Sequence, residues 1–166
     1  MGIRALVGID LGAGSLKCSV IDLAGRLLGS ANAGIVTHAP CLGWSEQEPD
    51  DWWKALCLAV PGALSDAGVA PDEIAAVSFS AGAHTCVLTD DNNRPARRAI
   101  LWNDKRSLDE CDALNAEAGA MIRKVAGNAV SPTWTLPQLY WLKRNAPGTL
   151  DSVRRLFPAK DWLRCR

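Results

Sequence analysis

Apolar positions in the first thirty-five residues follow a strand pattern. Residues 5–9 (ALVGI) are a continuous apolar run, 16–22 (LKCSVID) come close to alternating, and 26–36 (RLLGSANAGIV) continue the habit. The short join at Asp22–Gly25 predicts a hairpin. The period changes over residues 49–67, where Trp52, Trp53, Leu56, Ala59, Val60, Ala63, Leu64 and Ala67 fall at helical spacing. Pro49 stands near the start of this helix, Asp50 and Asp51 in its first turn, and Gly68 just past its end. Pro61–Gly62 predicts a kink or a shorter helix. After a turn at 70–73, residues 74–80 (IAAVSFS) read as a buried strand, with 85–89 (TCVLT) as its partner and 90–95 (DDNNRP) as a turn. Amphipathic helices follow over 104–126 and 135–145, then a short strand over 153–157 and the start of another helix at 158–166. There is no internal repeat and no low-complexity linker. Strands first, then strands alternating with helices, predict an α/β class.

Composition narrows the function. A chain of 166 residues with 48% hydrophobic content has the length and the core of one domain. Eighteen basic residues balance eighteen acidic ones, so no general electrostatic pull towards nucleic acid or an anionic membrane is expected. Seven tryptophans suit either a core or a cleft for sugars and nucleotides. The six cysteines form no Cys-x-x-Cys and no Cys/His cluster, which leaves a metal site of that kind unsupported. Cys18 and Cys86 sit in strand-like runs as small hydrophobes, and reduced, intracellular thiols are expected. The N-terminal apolar run is too short for a signal peptide or a membrane span, and Leu6 replaces the hydroxyl that myristoylation favours. A soluble, cytoplasmic protein is expected.

Candidate chemistry begins at residues 8–22, GIDLGAGSLKCSVID. A dinucleotide fingerprint fails here, because its third glycine position is Lys17 and a strand follows where a helix must start. A P-loop fails as well, since Lys17 follows Leu16 and not a glycine. What remains is strand, tight turn, strand. Gly12 and Gly14 permit unusual φ and leave backbone N–H groups open to an anion. Asp10 suits Mg²⁺ held through water, Ser15 a donor to phosphate, and Lys17 a point charge. A structural hairpin with one exposed aspartate fits the same residues.

Residues 8–22, 43–53 (GWSEQEPDDWW), 78–90 (SFSAGAHTCVLTD), 99–106 (AILWNDKR) and 158–164 (PAKDWLR) occur in this order. Together they resemble the N-terminal domain of the FGGY carbohydrate kinases, the xylulokinase branch most closely. The resemblance implies a ribonuclease-H-like domain of the actin-type ATPases, with a mixed sheet, antiparallel N-terminal strands and flanking helices. In that family sugar and ATP meet in a cleft between two such domains. Residues 1–166 then correspond to part of the first domain, truncated inside a helix, with the C-terminal ATP-binding domain outside the chain.

The resemblance also implies roles. Asp10 matches the Mg²⁺-phosphate aspartate, Gly12, Ala13, Gly14 and Ser15 the phosphate turn, and Lys17 the basic position after it. Ala13 and Gly14 stand where relatives carry hydroxyl residues, so two donors are missing. Ala83 and His84 match a Met-His pair associated with the sugar, and only the histidine is kept, with Gly82 before them. A neutral imidazole both donates to and accepts from a hydroxyl; a satisfied structural histidine is the alternative. Trp102, Asn103 and Asp104 match a sugar-facing segment, with Asp104 equally suited to cap a helix over 104–118. Thr133 matches a position that varies with substrate. The Trp44–Trp53 block is expected to pack the first helix against the sheet.

The implied reaction is ATP-dependent phosphorylation of a ketopentose, D-xylulose to D-xylulose 5-phosphate. The family's base lies downstream of residue 166, so the chain alone is expected not to turn over. Another sugar or polyol as acceptor, or a non-catalytic actin-like module, are the alternatives. A homodimer is possible for the whole protein.

Overall fold

In a computed structural model the structure describes residues 4–166. The chain divides into two compact units. The first comprises the residues up to Val36, Glu48–Gly82 and Ala159–Arg166, and the second Thr37–Gln47 and Ala83–Pro158.

The first unit is built on a four-stranded sheet of order β3-β2-β1-β5. Strands β1 (Ala5–Leu11), β2 (Ser15–Asp22) and β3 (Leu27–Gly34) are antiparallel neighbours, and β5 (Ile74–Ala81) joins β1 in parallel. The period of two decides which side chains go inside. Ala5, Val7, Ile9 and Leu11 alternate inward along β1, as do Leu16, Cys18 and Val20 along β2. The expected hairpin at 22–25 forms, with the Asp22 carboxylate accepting from Ala24 and Arg26 N–H and Gly25 at φ 84°.

Helix α1 (Pro49–Ala67) packs on β2 and β3. It ends as expected at Gly68, whose φ of 60° lets Gly68 and Val69 N–H reach the Ser65 and Leu64 carbonyls. Pro61–Gly62 does not shorten it. Its buried face of Trp52, Ala55, Ala59 and Ala63 outweighs the one hydrogen bond that proline removes. The helix end comes so close to β3 that a Cβ on Gly29 would collide with the backbone of Ala67 and Asp66. Trp52 meets Trp162 of α5 (Ala159–Cys165) edge to face, with centroids 6.2 Å apart. Strand β5 differs from its reading. It is largely exposed, and its ladder partner is β1, not the 85–89 segment.

In the second unit β4 (Glu46–Gln47) pairs with β7 (Ala99–Ile100), and β6 (Cys86–Thr89) pairs with β8 (Arg155–Pro158), both antiparallel. The partner of 86–89 thus comes from about seventy residues downstream, which local patterning cannot show. Helices α2 (Leu108–Ala126), α3 (Thr135–Asn145) and α4 (Pro147–Asp151) complete it. Its core gathers Leu88, Ile100 and Leu142 with Trp141, Leu150 and Val153. Helix α2 begins at 108 after Ser107, not at 104. Trp44 also departs from expectation. It packs under Arg106 and against Trp141, while Trp52 alone of its block is wholly buried in α1.

Candidate functional site

The glycine turn is a three-residue connection between β1 and β2. Gly12 N–H donates to the Ser15 carbonyl at 3.0 Å, and the Gly14 carbonyl accepts from Ile35 N–H at 3.0 Å. Neither glycine uses the left-handed φ that the sequence permits. What favours glycine at position 12 is proximity, since a Cβ there would sit 3.2 Å from the Ser15 carbonyl oxygen. Among the described residues the Gly14 N–H and the Ser15 hydroxyl have no hydrogen-bond partner.

Asp10 and Lys17 stand directly opposite each other in the β1–β2 register, and Ser80 of β5 opposite Asp10 on the other side. Because Ile9, Leu11, Leu16 and Cys18 turn inward, both charges lie on the sheet's other face. Each is exposed, and neither forms an ion pair or side-chain hydrogen bond among the described residues. One cross-strand row further on, Ser19, Gly8 and Ser78 form a second register. The two rows, with Phe79 and Ile9, line an open depression of about 290 Å³. Ser78 and Ser80, absent from the sequence reading, follow once β5 is known to pair with β1. A single exposed carboxylate among hydroxyls fits Mg²⁺, an ion that keeps much of its water. No group of three His, Cys, Asp or Glu among the described residues makes a cage.

The remaining candidates belong to the second unit. Ala83 and His84 are exposed, and the His84 ring stacks over Trp134 with centroids 6.0 Å apart. Trp134 itself drew no attention in the sequence. Trp102 is 46% exposed and Asn103 is exposed beside it, its amide without a partner among the described residues. Thr133 is half-buried, its hydroxyl 3.0 Å from that of Ser131.

Asp104 differs from its neighbours. It is 2% exposed, and both carboxylate oxygens are occupied. One accepts Arg106 N–H (2.8 Å) and Nε (2.9 Å), and the other accepts Ser45 N–H (2.6 Å) and Arg106 Nη2 (2.8 Å). Arg106 also pairs with Glu46, and its guanidinium lies 3.7 Å from the Trp44 ring centroid. Arg97 pairs with the same Glu46 oxygen. Helix α2 opens after Ser107, so Asp104 is not its cap; its oxygens serve Ser45 and Arg106 instead.

No helix among the described residues is long and apolar enough to cross a membrane. All six cysteines are free, and burial pushes the Cys18, Cys86 and Cys111 thiols up.

Xylulose kinases of Lactococcus lactis (strain IL1403) and Escherichia coli (strain K12) are 34% identical to this chain over 158 residues and 33% over 160. These matches cover 95% and 96% of this chain and 32% of each relative. The crystal structure of a xylulose kinase from Brucella ovis superposes with a TM-score of 0.90 at 34% identity, over 97% of this chain and 33% of that one. The chain thus spans about a third of the length of these relatives. The mixed sheet with antiparallel N-terminal strands is the one expected of the actin-type ATPase fold. The family model for the N-terminal domain of the FGGY carbohydrate kinases matches residues 5–166, and the chain belongs to that family.

Proposed function

We propose that this chain holds the reacting ends of ATP and a sugar for a kinase that converts D-xylulose to D-xylulose 5-phosphate. The observation that carries the reading is the pair Asp10 and Lys17, opposed in register beside the glycine turn and committed to no partner among the described residues. Opposite charges that face each other across neighbouring strands commonly pair; here both stay open beside the turn among the described residues, which supports a ligand-facing role over a structural one.

Phosphoryl transfer asks the protein for held phosphates, a fixed acceptor hydroxyl and a base for its proton. The Gly14 N–H and the Ser15 hydroxyl donate to phosphate oxygens, and Lys17 supplies a positive charge. Gly12 and Ala13 shape the turn, whose missing hydroxyls leave the backbone as its main donor. Asp10 would hold Mg²⁺ through water, and the ion would neutralise phosphate charge there. In the second unit His84 meets one sugar hydroxyl as donor and acceptor, Asn103 a second, and Trp102 offers a ring face to the carbon skeleton. Ala83 and Thr133 border the sugar. Asp104 acts at one remove, fixing the turn that carries Trp102 and Asn103.

The base belongs to the part of the relatives' length that this chain does not span. Free thiols fit the cytoplasm, and pairing of the whole protein as a homodimer is compatible with the reading. Gly82 and Ala83, in place of the larger side chains of the family pattern, favour a second reading in which another sugar or polyol is the acceptor.

Calorimetric titration of the chain with D-xylulose, ribulose, glycerol and gluconate, and separately with Mg²⁺-ATP, tests this. D-xylulose is expected to bind best, His84→Ala to weaken it, and Asp10→Ala to leave it intact while weakening Mg²⁺-ATP. Undiminished Mg²⁺-ATP binding by Asp10→Ala refutes the phosphate role.

A further inference from the structure

His84 sits at φ 64°, in the left-handed region that glycine and asparagine enter more readily than histidine. Such strain persists only where the surroundings impose it. Here they do so at both the backbone and the ring. The Thr135 hydroxyl donates to the His84 carbonyl at 3.0 Å. Cys86 Sγ lies 3.3 Å from the same hydroxyl oxygen. With the Thr135 proton already directed at His84, the Cys86 thiol is the donor to Thr135. Burial pushes that thiol up, which keeps its proton in place. The imidazole meanwhile stacks on Trp134, with an interplanar angle of 25°.

The two adjacent residues 134 and 135 therefore restrain the ring and the backbone of one histidine. His84, Trp134, Thr135, Leu136 and Ala126 line a single open depression of about 390 Å³. The imidazole nitrogens have no hydrogen-bond partner among the described residues. On an exposed ring these nitrogens face solvent and are open to a ligand hydroxyl.

We propose that Thr135 and Trp134 are positioning residues that hold the His84 imidazole in the strained conformation in which it meets a sugar hydroxyl. The proposal rests on the reading of His84 as a sugar ligand. Strain at a ligand side chain then serves recognition, because the ring is oriented before the sugar arrives and little freedom is lost on binding.

The test uses the 166-residue chain, with D-xylulose titrated by calorimetry and the His84 backbone and ring resonances followed by NMR. Thr135→Val removes the hydroxyl at nearly constant volume, and Thr135→Ser keeps it. Thr135→Val is expected to displace the His84 resonances before any sugar is added and to weaken D-xylulose binding roughly tenfold, the effect of one lost hydrogen bond. Thr135→Ser is expected to restore both. Trp134→Leu is expected to move the ring resonances more than the backbone ones. His84 resonances unmoved by Thr135→Val overturn the positioning role, even where His84→Ala abolishes binding and the ligand reading stands. Unaltered D-xylulose binding by His84→Ala overturns the ligand reading and the positioning role with it.

Discussion

Replacing Asp104 by alanine separates what this residue holds from what it resembles. Its two oxygens take four hydrogen bonds, two from backbone N–H groups and two from the Arg106 guanidinium. In this cluster Arg97 and Arg106 balance Glu46 and Asp104, and the Arg106 side chain has no exposure at all. Losing Asp104 leaves two cations facing one carboxylate, with Arg106 unable to reach water. Arg106 Nη1 already has no partner among the described residues, so the guanidinium cannot absorb further loss. Breaking a buried pair from one side costs about 3–5 kcal/mol. For a chain of this size each kcal/mol moves Tm by about 2–4 °C, so the fall is about 6–20 °C. Thermal unfolding followed by circular dichroism reads it, and the near-ultraviolet signal reports Trp44 and Trp141 beside Arg106. Exposed Asn103→Ala is the control, expected to stay within about 0.5 kcal/mol of the parent. An Asp104→Ala chain that melts like Asn103→Ala would refute the claim that this carboxylate anchors the 43–46 segment.

Two further outcomes follow from packing and from charge. Gly29→Ala places a Cβ against the backbone of Ala67 and Asp66, which no rotamer can relieve, and should cost about 1–3 kcal/mol in urea unfolding; parental stability would mean that α1 does not seat there. Ala70 N–H, and then the Arg4 guanidinium, hold the Glu73 carboxyl below its usual range. The stability it adds is complete above about pH 4.3 and drains as pH falls through its lowered folded value. The gap in Tm between the parent and Glu73→Gln should therefore narrow in acid, and parallel curves from about pH 6 to 3 would refute it.

Much of the first unit is legible in its sequence because one face of each early strand is buried and the other is not. The alternation of Ala5, Val7, Ile9 and Leu11 carries that information, and the short hairpin then places Asp10 opposite Lys17. Helix α1 declares itself through Pro49, its acidic first turn and Gly68. Strand β5 misleads, because Ile-Ala-Ala-Val is apolar whether a strand is central or at an edge, and here it lies at the edge of the sheet. The partner of β6 is invisible for a different reason, since a four-residue strand has no pattern long enough to name a partner so far along the chain. Asp104 precedes a helical pattern, so its local sequence fits a cap. Its carboxylate instead accepts from Arg106 and from the N–H of Ser45, fifty-nine residues away.

The candidate site follows the same division between local and distant causes. Asp10 and Asp104 are the same side chain near the end of a strand, and composition cannot tell them apart. The structure separates them by what their oxygens already hold. Those of Asp104 are filled, and adding a ligand means breaking bonds whose donors would be left buried. Those of Asp10 have no partner among the described residues, so the proposed cation would displace only water there. His84 lies between the two cases, with its carbonyl committed and its imidazole nitrogens without a partner among the described residues. In the reading proposed above, its backbone belongs to the scaffold and its ring to the ligand. On that reading, a substitution that relieved the φ of 64° would also remove the ring that the strain positions.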